Sequence, residues 1–204
     1  MNGTALVLGG GGPVGGAWLT GVLAGLTAGG IDLTTADTVI GTSAGAVFGA
    51  RLASGEPARE LYERQLADLD RVEMDVTAAQ TLRFLWAAMA TRNPERSVRR
   101  LGHAALTART TPAHDLSETV RTLLRDATAW PARALRITAV DAETGSVEAF
   151  DAGSGLDLAD AVAASCAVPL VWPPAPPPPG GGGGGGARAP PPPPPRAPAP
   201  PPWR

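Results

Sequence analysis

Two glycine-rich turns constrain this chain more than anything else in it. Gly9-Gly10-Gly11-Gly12-Pro13-Val14-Gly15-Gly16 follows the apolar run Ala5 to Leu8, and Gly41-Thr42-Ser43-Ala44-Gly45 follows Thr38 to Ile40. Each reads as a strand that turns sharply into a helix. In a Gly-x-Ser-x-Gly turn the flanking glycines remove the side chains that would clash at the corner, which leaves the serine hydroxyl exposed at a helix N-terminus. Free N–H groups and a partial positive charge at that helix end suit an oxygen that becomes negative. Ser43 is therefore a candidate nucleophile, with Gly41, Thr42, Ala44 and Gly45 as its elbow.

The surrounding pattern predicts an α/β domain. Thr4 to Leu8 reads as a strand, Gly15 or Gly16 to Ala28 as a helix, Thr38 to Gly41 as a second strand and Ala44 to Leu52 as a second helix. Strand, helix, strand and helix at this spacing imply parallel pairing with a right-handed crossover, which brings both turns to the carboxyl ends of neighbouring strands. Further helices are expected over Glu56 to Leu69, over Ala78 to Thr91, from a capping box at Asp115-Leu116-Ser117-Glu118 through Asp126, and over Asp157 to Cys166. Leu135 to Asp141 and Ser146 to Phe150 read as strands joined by a turn at Ala142 to Gly145. From Pro173 onward the chain is nearly all Pro, Gly and Ala, so residues 1–174 are expected to form the domain and 175–204 a disordered tail.

Composition narrows the function classes. All 17 basic residues are arginine; Arg188, Arg196 and Arg204 lie in the tail, which leaves 14 against 19 acidic residues, a balance that disfavours a nucleic-acid partner. A P-loop nucleotidase is excluded because its lysine cannot exist here. Cys166 is the single cysteine, and His103 and His114 are the only histidines, so neither a disulfide nor a zinc spacing can be assembled. The first 31 residues carry no side-chain charge, yet Pro13 and the glycine run interrupt any membrane-length helix and no basic leader precedes them. A cytoplasmic protein is the expectation.

Acyl transfer needs a nucleophile, a base and donors for the tetrahedral oxyanion. Ser43 supplies the first, and the loop Gly10 to Gly12 on the neighbouring strand supplies backbone N–H groups with no side chain in the way. One such donor is worth roughly 3 to 4 kcal/mol in the transition state. An ordinary α/β-hydrolase reaches its elbow only after several strands and continues to Asp and His. Here the elbow ends the second strand, and His103 and His114 lie in an Arg-rich stretch and a linker, so a histidine triad is not expected.

The strand ending Gly-Gly-Gly-Gly-x-x-Gly, the run Thr20-Gly21-Val22-Leu23 and Val39-Ile40-Gly41-Thr42-Ser43-Ala44-Gly45 together resemble the patatin-like phospholipases. Asp160 to Pro169 with Trp172-Pro173-Pro174 is similar to that family's stretch before its catalytic aspartate. The resemblance implies a patatin-like three-layer sandwich with a mainly parallel central sheet. It also implies a Ser-Asp dyad acting on lipid acyl esters without metal or cofactor, and transient contact with a membrane surface. Carried over by position, Ser43 is the nucleophile and Gly10, Gly11, Gly12 and Gly15 form the oxyanion loop.

Two positions depart from the family pattern. Val14 stands where many relatives carry Arg or Lys, which removes a charge that could meet a phosphate headgroup. The dyad aspartate expected after the Pro-Pro segment is not found, because no Asp or Glu follows Asp160. Asp151-Ala152-Gly153 precedes the Ala-Ser-Cys helix and so occupies the wrong place, and Asp141 fits a hairpin. The expectation is a fold incomplete at its C-terminus, from a truncated or frame-shifted member of the family, with a genuine Pro-rich arm as the other account. Two functional alternatives stand beside the hydrolase: a catalytically impaired interaction protein of the same fold, and a dinucleotide-binding Rossmann-type module suggested by G-x-G-x-x-G over Gly10 to Gly15.

Overall fold

The structure, a computed structural model, describes residues 3–71, 94–107, 113–169 and 171–172. Four strands form one sheet in the order β1 (Ala5–Leu8), β2 (Thr38–Gly41), β3 (Ala134–Val140) and β4 (Val147–Phe150). The first three run parallel, with Leu8 beside Gly41 and Gly41 beside Ile137, and β4 returns antiparallel with Val147 beside Val140. The helices are α1 (Gly12–Ala28), α2 (Ala44–Ala53), α3 (Ala58–Leu66), α4 (Pro94–Thr107), α5 (Ala113–Leu124) and α6 (Leu158–Cys166), with a 3-10 turn at Leu33–Thr35. This is the α/β architecture with a mainly parallel sheet that the two glycine turns imply.

Strand periodicity decides which sheet face is buried. Leu8, Val39, Leu135 and Ile137 point to one face and are buried, while Val7 and Arg136 point to the other and are exposed. The buried face packs on α2 and α6, whose Ala46, Val47, Ala50, Leu158, Ala161 and Val162 complete the core. Small residues let α2 ride close to the strands: a Cβ on Gly49 would stand 3.2 Å from Val39 Cγ1 and 3.3 Å from Leu8 Cδ1. At the amino end of the sheet, Asp37 ties β2 to β1 by accepting from the Thr4 amide at 2.7 Å and the Thr4 hydroxyl at 3.0 Å.

Several element boundaries differ from the sequence-based expectation. Helix α1 begins at Gly12 because Pro13 falls in its first turn, where a missing N–H costs nothing. Helix α3 runs only over Ala58–Leu66: Pro57 is its N-cap, Glu56 is drawn to Arg51, and the chain turns after Leu66. Leu61 is fully buried, whereas Leu66 and Leu69 are exposed. Helix α5 spans Ala113–Leu124, so Asp115, expected to open the helix, lies within it. The expected helix over residues 78–91 and the segment 173–204 lie outside the described residues.

Candidate active site

The carboxyl ends of β1 and β2 bring the two glycine turns together. The Thr42 amide donates to the Leu8 carbonyl at 3.0 Å, and the Gly45 amide donates to Gly9 at 3.1 Å. Glycine is obligatory at the crossing: a Cβ on Gly45 would run into the Leu8 carbonyl and stand 2.7 Å from the Gly9 oxygen. A Cβ on Gly41 would stand 2.7 Å from Ala46 Cα. The elbow pattern is thus explained by backbone laid directly on backbone.

Ser43 is the N-cap of α2, with φ 54° and ψ −118°. A non-glycine residue held in that region stores about 1–3 kcal/mol, which the surrounding structure must hold in place. The geometry turns its half-buried side chain toward the glycine loop, where a Cβ on Gly10 would lie 3.3 Å from Ser43 Cβ and 3.9 Å from Ser43 Oγ. Thr42 Oγ1 faces Thr138 Oγ1 at 2.6 Å, which links the elbow to β3.

The loop places its amides unequally. Gly11 and Gly12 have φ 139° and 59°, conformations open to glycine, and swing the chain into α1. Among the described residues no backbone acceptor takes the amides of Gly10, Gly11 or Ala44, whereas the Gly15 amide donates to the Gly11 carbonyl at 3.0 Å. Gly15 instead matters for its missing side chain, since a Cβ there would stand 3.0 Å from the Gly10 oxygen. The N-termini of α1 and α2 both open at this spot and supply positive potential without a cationic side chain. Val14 projects beside them, 82% exposed.

Helix α6 adds two side chains that the sequence patterns did not single out. Ser165 Oγ accepts the Ser43 amide at 2.8 Å and donates to the Thr138 carbonyl at 2.6 Å. Burial pushes the Cys166 thiol up to about 11, and the neighbouring Ser43 side chain pulls the other way. The one available signal was their place in the Ala-Ser-Cys stretch, which carries no mark of a hydroxyl reaching back across the chain.

The two carboxylates considered as bases are held in their own turns. Asp141 Oδ1 accepts from the amides of Glu143 and Thr144 and from the Thr144 hydroxyl, which holds its carboxyl below the usual range. Asp151 Oδ1 accepts from the Gly153 amide at 2.9 Å and the Ser154 hydroxyl at 3.3 Å. His103 is exposed on α4. Among the described residues no group of His, Cys, Asp or Glu is arranged to hold a metal ion, and no helix is long and apolar enough to cross a membrane.

The glycine loop on the first strand and the Gly-x-Ser-x-Gly turn on the second thus cross at the carboxyl edge of a mainly parallel sheet. The family model described as Patatin-like phospholipase matches residues 6–191, and the chain belongs to that family. The match extends beyond Pro174 into the Pro/Gly-rich segment. No curated protein sequence gives a significant match. Among solved structures, the type III effector protein ExoU is 21% identical, with a TM-score of 0.42 over 82% of this chain and 41% of that one. ExoU in its heterodimeric complex with SpcU, from the type III secretion system of Pseudomonas aeruginosa, is 21% identical, with a TM-score of 0.41 over 83% of this chain and 37% of that one. The chain thus spans less than half the length of either neighbour.

Proposed function

We propose that the chain is a serine lipid acyl hydrolase in which Ser43 attacks an ester carbonyl. The carrying observation is the strained Ser43 corner set against Gly10, at 3.9 Å from the serine oxygen to the position a Cβ would take. A carbonyl carbon held at Ser43 Oγ places its oxygen beside the amides of Gly10, Gly11 and Gly12, with the Ala44 amide a further donor. Gly15 keeps the loop narrow. In this reading the Oγ–carbon bond forms, the alcohol leaves with a proton, and water then releases the acid and restores Ser43.

The family's dyad calls for an aspartate to take the Ser43 proton, and the sequence has no Asp or Glu after Asp160. Asp141 and Asp151 are occupied in their turns, which supports a second reading in which the fold serves as a catalytically impaired interaction protein. Substrates are proposed to be lipid acyl esters. The exposed Val14, in place of a cation, favours neutral over phosphate-bearing headgroups. A cytoplasmic setting with transient membrane-surface contact completes the proposal.

A fluorophosphonate probe separates the two readings, followed by p-nitrophenyl ester assays. Labelling of the purified chain that is abolished in Ser43→Ala supports the nucleophile, and ester turnover also lost in Ser43→Ala supports the hydrolase. Equal labelling of the chain and its Ser43→Ala variant would leave the nucleophile assignment without support. Labelling without turnover favours the impaired protein.

A further inference from the structure

Ser165 stands on the last turn of α6, and its hydroxyl makes two short hydrogen bonds, one just beyond the end of β2 and one within β3. It accepts from the Ser43 amide at 2.8 Å, at the end of β2, and donates to the Thr138 carbonyl at 2.6 Å, on β3. Its partner lies 122 residues away in sequence, so α6 holds the elbow from outside the strand-turn-helix unit that creates it. We infer that Ser165 is a positioning residue for the Ser43 nucleophile: its hydroxyl pins the strained Ser43 backbone to β3 and so fixes the direction of Ser43 Oγ.

The N–H of a helix N-cap has no partner within its own helix. At Ser43 that donor is satisfied by Ser165 and is therefore spent, which keeps it out of the set facing a substrate oxygen. The same bond resists relaxation of φ 54°, because swinging Ser43 toward an ordinary conformation breaks a bond to a group that is itself anchored. A hydroxyl suits the place: it accepts along one direction and donates along another, whereas a methyl leaves one amide and one carbonyl without partners. Thr42 and Thr138 close a second link beside it at 2.6 Å, so loss of Ser165 loosens the elbow without freeing the strand.

The inference rests on Ser43 being the nucleophile, and the experiment separates the two. The full chain and its Ser43→Ala, Ser165→Ala, Ser165→Thr and Ser165→Cys variants are treated with a fluorophosphonate probe over a range of concentrations, and thermal midpoints are measured alongside. Misplacing a reacting atom by an ångström costs up to about a hundredfold, so Ser165→Ala is expected to lower the maximal labelling rate about tenfold or more. The half-saturating probe concentration stays within about twofold on the same grounds. Ser165→Thr, which keeps the hydroxyl, recovers most of the rate. If Ser165→Ala does not fold, Ser165→Cys decides: its thiol is a weak donor and acceptor, and it is expected to label slowly with a thermal midpoint near that of the parent. Full-rate labelling in Ser165→Ala, or in Ser165→Cys where Ala does not fold, overturns the positioning role while the nucleophile stands. A change confined to half-saturation, or no recovery in Ser165→Thr, overturns it as well. A parent chain that labels no faster than Ser43→Ala overturns both.

Discussion

Arg51 and Asp70 meet at 2.8 Å with their side chains 0% and 2% exposed, one from the last turns of α2 and the other from the turn after α3. Arg51 also grips Glu56 through Nε and Nη2, both at 2.6 Å, and Arg64 shares the Asp70 carboxylate at 2.9 Å. This cluster fastens the C-terminal end of the elbow helix. Breaking a buried pair by removing one partner leaves a charge out of water and costs about 3–5 kcal/mol. Since Glu56 remains on Arg51, Asp70→Ala is expected at the lower end, about 3 kcal/mol. The denaturant midpoint at neutral pH measures it, and an unchanged midpoint contradicts the assignment.

The same carboxylate carries a pH dependence. Burial pushes the Asp70 pKa up, but hydrogen bonds from Arg64 and Arg51 outweigh it, and the folded value lies below the ordinary 3.8. A group lowered on folding stabilises the protein at pH values above its unfolded pKa and loses that contribution as pH falls through the folded one. The parent chain is therefore expected to lose stability below pH 3.8 by an increment that Asp70→Ala lacks. Parallel acid-unfolding curves for the two proteins count against it.

Cys166 titrates in the opposite sense. Burial raises its thiol from 9.0 to about 11. Its contribution to stability is complete below pH 9.0 and fades as pH rises toward 11. Near pH 8 the thiolate is about a hundredfold scarcer in the folded than in the unfolded protein, because each pKa unit is a factor of ten. A chromogenic disulfide reagent should react with the native protein about that much more slowly than with the urea-unfolded one. Equal rates show the thiol to be open to solvent.

Glycines at the elbow and elsewhere are expected to respond oppositely to alanine. Gly45→Ala forces a methyl into the Leu8 carbonyl and is expected to cost roughly 3 kcal/mol, at the upper end of overpacking. Gly25, inside α1, has nothing within 4 Å of an added Cβ. Gly25→Ala removes backbone freedom from the unfolded chain and should gain roughly 0.5–1 kcal/mol. Thermal midpoints that move the same way in both variants refute the crossing described at Gly45.

The strands and the sharp strand-to-helix turn at Ser43 were legible because their signals are local. Thr38–Gly41 appears with the expected bounds, and Asp141 closes the β3–β4 turn through its own side chain as a hairpin residue does. What could not be seen depends on partners far along the chain. Glu56 fits a helix by pattern, yet Arg51 takes it out of α3 with a charge pair no periodicity announces. Ser165 reads as one more small residue on an apolar helix, and only folding brings it to Ser43. Gly15, placed in the oxyanion loop by its position in the motif, lies within α1, which begins three residues earlier than its pattern suggested, and its amide donates to the Gly11 carbonyl.

Gly9 and Gly10 offer the sharpest test of the site, because they are neighbours with different surroundings. A Cβ on Gly9 meets nothing within 4 Å, whereas one on Gly10 stands 3.3 Å from Ser43 Cβ and 3.6 Å from the Thr42 oxygen. Neither glycine has a positive φ, so both backbones accept alanine. Gly10→Ala should crowd the space where a substrate oxygen meets the loop and displace Ser43 by a few tenths of an ångström. Loss of a single oxyanion donor alone costs about 10²–10³ in rate, and crowding the loop is expected to cost at least about tenfold. Gly9→Ala should label with a fluorophosphonate probe at nearly the parent rate, with the thermal midpoints of both variants within about 4 °C of the parent, the shift that corresponds to about 1 kcal/mol in a chain of this size. Equal labelling rates for the two variants show that the loop does not face the serine.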